Sequence, residues 1–171
     1  MTIVTGPDND KEAVIRRMVA EHQATLTRLC YLYLHDVQLA EDAVQETFLK
    51  AYRTLERFRA EASEKTWLTR IAMRTCCDMR RTFWFRRVDR RVTPESLPDC
   101  AADAAEDESA LTLAVMNLPI REREAVLLYY YQDMNVREIA KALGVTQPTV
   151  SYRLRRARER LREELEGREE P

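Results

Sequence analysis

Trp67, Arg70, Arg74 and Arg81 follow one another at spacings of three, four and seven residues, which puts an indole and three guanidinium groups on one side of a helix. A ring among arginines suits nucleic acid, because the ring can wedge or stack against a base while the cations hold phosphate. The plainer reading is a Trp that covers the edge of a core, with Arg for solubility. Asp42, Gln45, Glu46 and Leu49 share another helix face. Its charge repels DNA and suits a basic protein surface, where electrostatics sets orientation and the leucine contributes affinity. A solvated acidic face with one stray leucine is the alternative. Towards the C-terminus Thr149, Tyr152, Arg155, Arg156 and Glu159 point away from an apolar stripe, among six arginines (153, 155, 156, 158, 160, 162) and three glutamates (159, 163, 164). That helix suits a major groove beside phosphates. An ordinary solvated Arg/Glu helix held by pairs four residues apart is the other reading.

Enzyme chemistry has little to stand on. The four cysteines (Cys30, Cys76, Cys77, Cys100) and two histidines (His22, His35) form no C-x-x-C or H-x-x-x-H pair. With 3 glycines in 171 residues, no phosphate-binding fingerprint can be assembled, and no Ser/His/Asp constellation is present. The expectation is no cofactor, no metal, no small-molecule substrate and reduced thiols in or near a core.

Positioning these groups falls to helices. Just over a fifth of the residues are Leu, Ile, Val or Phe, enough for a core by the roughly 20% threshold, and the scarcity of glycine disfavours sheet turns. No apolar run approaches the ~20 residues of a membrane span, and the first ten residues lack the layout of a signal peptide, so a cytoplasmic protein is expected. The balance of 28 Lys+Arg against 29 Asp+Glu hides local asymmetry. From Arg70 to Arg91 eight arginines face two aspartates, and from Glu95 to Ser109 six acids face no base. The acidic stretch, with Pro94 and Pro98, reads as a flexible linker. The resulting fold class is all-α: two small helical domains, 1–91 and 109–171, joined by an acidic linker, 92–108.

In the first domain the patterns run from Lys11 to Leu34, from about Leu39 to Leu55, and, after a polar loop from Arg57 to Thr66, through Leu68, Ile71, Ala72, Thr75, Cys76 and Met79. The second stripe reads Ala40, Ala43, Val44, Thr47, Phe48, Ala51, Tyr52 and Leu55. Thr82 to Arg87 is expected to seal the end of the bundle. In the second domain helices are expected over Ala110–Leu118, Arg121–Gln132, Val136–Leu143 and Gln147–Leu165. Asn135 with Glu138 gives a capping box, Gly144 a stop and Thr146 a new N-cap. Ile139, Ala140, Leu143, Gly144, Val145, Val150 and Leu154 have the spacing of a helix-turn-helix.

These pieces, in this order, resemble the extracytoplasmic-function sigma factors, small two-domain initiation subunits of bacterial RNA polymerase. The resemblance rests on the run Ala40-Glu41-Asp42-Ala43-Val44-Gln45-Glu46-Thr47-Phe48-Leu49-Lys50-Ala51-Tyr52, on Thr66-Trp67-Leu68-Thr69-Arg70-Ile71-Ala72, and on Asp78. In the second half it rests on Leu118-Pro119, Arg123 to Leu128, Glu138-Ile139-Ala140, Thr149-Val150, Arg153-Leu154 and Arg156-Ala157-Arg158.

The resemblance implies roles for the faces already found. Asp42, Gln45, Glu46 and Leu49 would dock on the clamp coiled coil of core polymerase. The loop from Phe58 to Lys65, Arg59 included, would capture a flipped base of the −10 element. Trp67, Arg70, Arg74 and Arg81 would prop the edge of the melted duplex. Gln147, Thr149, Ser151, Tyr152, Arg155 and Arg156 would read the −35 element, and the linker would pass through polymerase channels. An anti-sigma factor is a further implied partner, beside core RNA polymerase and promoter DNA. Two places depart from the family. Arg74 stands where Asn is usual, so the family's −10 specificity does not carry over. Pro148-Thr149-Val150-Ser151-Tyr152-Arg153 replaces the common Gly-Thr-Val-Lys-Ser-Arg, which alters −35 preference and offers Tyr152 to a thymine methyl or a phosphate. A stand-alone dimeric helix-turn-helix regulator is the alternative, and it leaves the acidic face and the Trp67 face without a use.

Overall fold

A computed structural model of the chain describes residues 7–58, 62–84 and 106–169. It divides into two compact units, Met1–Phe85 and Arg86–Pro171. All regular structure among the described residues is helical, and no described helix is long and apolar enough to cross a membrane.

The first unit packs α1 (Pro7–Leu34), α2 (Val37–Thr54) and α3 (Glu64–Trp84) against one another. Along α1, Met18, Leu26 and Leu29 through Tyr33 are buried, so the helix is enclosed on all sides at its C-terminal end. It stops at His35, whose left-handed backbone (φ 58) lets its N–H bond the Tyr31 carbonyl at 2.8 Å. Asp36 then restarts the chain as an N-cap, its side chain accepting the Leu39 N–H at 3.0 Å. The expected α2 stripe is buried at Ala40, Ala43, Val44, Thr47, Phe48 and Ala51, where the small residues let neighbouring helices approach closely. Tyr52, expected in the same stripe, is instead 38% exposed. On α3, Leu68, Ala72, Thr75 and Cys76 are buried as their spacing predicts, and Thr69 and Met73 join them.

Cys30 and Cys76 are fully buried free thiols, and Cys77 is half-buried with its sulfur 3.3 Å from the Tyr33 hydroxyl. A hydrogen bond with Cys30, followed by burial, pushes the Cys76 thiol far above its ordinary range. A thiol so held is a core residue without nucleophilic character. Cys100, and the segment from Phe85 to Arg91, lie outside the described residues.

The second unit runs α4 (Glu106–Asn117), α5 (Ile120–Val126), a π turn (Leu127–Tyr131), α6 (Val136–Leu143) and α7 (Gln147–Glu169). Helix α4 starts inside the stretch read as linker, so Glu106 to Glu108 are helical; residues 92–105 lie outside the description. The single helix expected over Arg121–Gln132 loses α geometry at Leu127. Asp133, with φ 53, then turns the chain so that the Met134 N–H bonds the Leu128 carbonyl at 3.1 Å. The Asn135–Glu138 capping box forms with both bonds, 3.0 and 2.9 Å. Gly144 ends α6 in the left-handed region at φ 66, and Val150, Leu154 and Ala157 of α7 are buried.

A Cβ at Gly144 would meet nothing within 4 Å, so the glycine answers to backbone conformation alone. Gly144→Ala is therefore expected to destabilise the second unit by about 1 kcal/mol, and Gly144→Asn by less. Thermal unfolding of the full chain followed by circular dichroism checks both.

Candidate nucleic-acid interface

The α2 face is laid out as its spacing predicts. Asp42, Gln45 and Leu49 are exposed, the leucine at 51%, while Glu46 is partly covered and lies 3.8 Å from the Lys50 ammonium. Lys50 in turn donates to the Thr75 hydroxyl at 3.1 Å, which ties α2 to α3. Tyr52, three residues past Leu49, extends the apolar part of this surface. The interval of seven from Gln45 was the signal that could have placed it there.

On α3 the first turn is built by Ser63. Its Oγ accepts the Thr66 N–H at 3.1 Å and bonds the Thr66 hydroxyl at 2.9 Å, and its carbonyl accepts the Trp67 N–H at 3.0 Å. Trp67 is half-buried, its ring 4.8 Å from that of Phe58 at an interplanar angle of 37°. The Phe58 N–H closes the preceding 3-10 turn (Leu55–Arg57) on the Leu55 carbonyl at 3.0 Å. The two aromatic residues expected at strand capture and at the melted edge thus form one packed pair.

Arg74 and Arg81 are exposed, and Arg70 is half-buried with its Nε shielded and lacking a hydrogen-bond partner. Lys65 is half-buried, and Arg59 lies outside the described residues. Among the described residues, one group carries metal-type donors, Glu21, His22 and Glu64, with ligand atoms within 4.8 Å of one another. The Arg17 guanidinium already sits on it, 3.0 Å from Glu21 and 2.7 Å from Glu64, and supplies the cation.

In the second unit Thr146 caps α7 as expected. Its hydroxyl lies 2.8 Å from that of Thr149 and accepts the Thr149 N–H at 3.4 Å, so the Thr149 side chain takes part in the cap. Gln147 and Ser151 are exposed. Tyr152 is 56% exposed and carries the Arg155 guanidinium 5.5 Å above its ring. Glu159 bonds Arg156 at 2.7 Å and lies 3.9 Å from Arg155. This bond raises the affinity of Arg156 for its proton and keeps its charge in place.

Three of the α7 arginines reach side chains elsewhere in the unit. Arg153 lies 3.7 Å from Glu124 with both side chains nearly enclosed, and Arg160 lies 3.0 Å from Glu122. Arg158 donates to the Tyr130 hydroxyl at 2.8 Å and covers the rings of Tyr129 and Tyr130. These three hold α7 on the rest of the unit. Arg155 and Arg162 are exposed and Arg156 is half-buried beside Glu159. Glu124→Gln keeps the shape but removes the charge facing Arg153, and is expected to cost about 2 kcal/mol. Chemical denaturation of the full chain measures it.

Comparison with known proteins follows the same division. The Sigma-70 region 2 family model matches residues 18–86, and that of Sigma-70, region 4 matches residues 108–161. The chain is 32% identical over 167 residues to the ECF RNA polymerase sigma factor SigL of Mycobacterium tuberculosis, spanning 95% of this chain and 94% of SigL. It is 33% identical over 149 residues to SigM of the same organism, spanning 85% and 74%. Among solved structures, the sigma factor RpoE of Bartonella quintana, determined in complex with the anti-sigma factor NepR, shares the fold. The match has a TM-score of 0.74 over 88% of this chain and 96% of that one, at 22% identity. One family model in each helical unit, and about a third of the residues shared with relatives spanned over 74% and 94% of their length, establish that the chain belongs to the extracytoplasmic-function sigma factors and acts in transcription initiation.

Proposed function

We propose that the chain docks on core RNA polymerase through Asp42, Gln45, Glu46 and Leu49. It holds the opened −10 region with Phe58, Arg59, Lys65, Trp67, Arg70, Arg74 and Arg81, and reads the −35 element with Gln147, Thr149, Ser151, Tyr152, Arg155 and Arg156. The observation that carries this reading is the separation of chemistry within the first unit. An acidic face with an exposed leucine lies on α2, and an aromatic pair with arginines lies at the start of and along α3. The first repels DNA and suits a basic protein; the second suits a strand whose bases have left the stack.

Polymerase supplies all the catalysis, and the chain contributes binding and strand capture. It works where polymerase and chromosome are, in the cytoplasm. An anti-sigma factor is its expected antagonist, as NepR is the partner of RpoE in the solved complex. A dimeric regulator acting alone has no use for the region 2 unit or its acidic face.

The test is size-exclusion co-elution with bacterial core RNA polymerase, with and without a duplex promoter library whose bound members are sequenced. A stable complex enriching paired −35 and −10 elements is expected. Failure to join core enzyme, with palindromes enriched by the free chain, would overturn the reading.

A further inference from the structure

Helix α1 reaches both ends of the segment that carries Phe58 and leads into Trp67. Lys11 forms an ion pair with Glu56 in the 3-10 turn, two residues before Phe58. Six residues further along α1, Arg17 grips Glu64, the first residue of α3, through two parallel bonds of 2.7 and 3.0 Å. Arg17 also donates to Glu21 at 3.0 Å. The imidazole Nε2 of His22, buried and without a hydrogen-bond partner, lies 3.9 Å from Glu21 and 3.8 Å from Glu64. Glu64 is held below the ordinary carboxylate range, first by its bond to Arg17, and so stays ionised across the physiological range.

These contacts are not what closes the core. Arg17 and Glu64 are 46% and 30% exposed, and the core of the unit is made by buried residues such as Met18, Leu26, Leu29, Leu68, Ala72 and Cys76. Exposed ion pairs add little to folding stability, whereas a two-pronged guanidinium–carboxylate pair fixes direction as well as distance. What it fixes here is the turn in which Ser63 receives the Trp67 N–H, three residues after Glu64.

We propose that α1 is the frame of the strand-opening site: Arg17 at Glu64, supported by Lys11 at Glu56, sets the pose in which Phe58 and Trp67 meet the melted strand. Both lysine and arginine are positioning residues, acting through the carboxylates and touching no DNA. The proposal rests on the role given above to Phe58 and Trp67, and adds α1, which that role did not include.

Arg17→Met and Glu64→Gln in the full chain, assembled with core polymerase on a promoter selected by the library, provide the test. Permanganate reactivity of melted thymines is expected to fall about threefold to fivefold. Core affinity, protection at −35 and melting temperature are expected to stay near their wild-type values. The double reversal Arg17→Glu with Glu64→Arg is expected to recover opening, because it restores the pair with its charges exchanged. Opening at the wild-type level in both single variants would overturn the proposal. So would a parallel fall in core affinity, −35 protection and melting temperature, which marks a purely structural contact. A wild-type complex that binds −35 but melts no promoter would instead overturn the assignment of the site, and the frame with it.

Discussion

Asp42→Arg combined with Glu46→Arg is expected to abolish association with core RNA polymerase while leaving the helices intact. Both residues sit on the outer side of α2, one turn apart, and neither belongs to the buried stripe of Ala40, Ala43, Val44, Thr47, Phe48 and Ala51. Among the described residues Glu46 has one ion-pair neighbour, Lys50 at 3.8 Å, and an exposed pair of this kind is worth at most about 1 kcal/mol to folding. Against a basic partner the same substitutions turn two attractions into two repulsions. Like charges placed together at an interface cost several kcal/mol, and each 1.4 kcal/mol is a factor of ten, so affinity falls by at least about 100-fold. Leu49, 51% exposed, remains available in the variant, which separates the electrostatic part from the apolar part. Gel filtration with core enzyme and far-UV circular dichroism of the free chain measure the two halves of the expectation. Undiminished co-elution would remove α2 from the polymerase interface.

How far such surfaces can be read before folding depends on the range of the interactions that make them. The Asn135–Glu138 capping box, the Gly144 stop and the Thr146 cap are legible because each is settled within three or four residues. The α2 stripe is legible for the same reason, since alanines every three or four residues mark the side on which helices cross. Periodicity gives the direction a residue points but not what stands there. Tyr52 lies at the edge of the stripe, where a single turn decides between core and solvent, and the neighbouring helices leave it exposed.

The arginines of α7 show the limit most clearly. Arginines repeated along one helix look like one surface, yet Arg153, Arg158 and Arg160 reach acids and tyrosines that lie 28 to 38 residues earlier in the chain. Helical spacing sets Arg155 and Arg156 beside Glu159, away from the apolar stripe, but nothing local names the distant partners of the other three. The π turn at Leu127–Tyr131 is equally silent in the sequence, though it precedes the turn at Asp133 that leads into α6. The grip of Arg17 on Glu64 spans 47 residues and joins two helices whose charged faces each look like ordinary solvated surface. The role of Phe58 rests on family resemblance alone and that of Trp67 also on its arginine neighbours, while their packing against each other is visible only in the fold.

That packing shapes the second large effect. Trp67→Ala is expected to reduce open-complex formation at least about tenfold while changing closed-complex binding at −35 by less than about twofold. Unstacking a base step costs a few kcal/mol, and a ring that fills the vacated place offsets part of it only once the strand has opened. Its loss therefore weighs on the open state alone. The indole is half-buried on Phe58, so its removal also deprives Phe58 of its ring partner, and the two aromatic groups are lost functionally together. Trp67→Phe keeps a flat ring in contact with Phe58 and is expected to retain most of the opening. Folding stability moves differently, since both variants remove part of a side chain lying beside the buried Thr66 and Leu68 rather than within the core they line. Permanganate reactivity of melted thymines, set against footprinting of the −35 site in the same complexes, separates the two states. Equal losses in both measurements would mean that Trp67 supports the unit as a whole, and that the wedge lies elsewhere on α3.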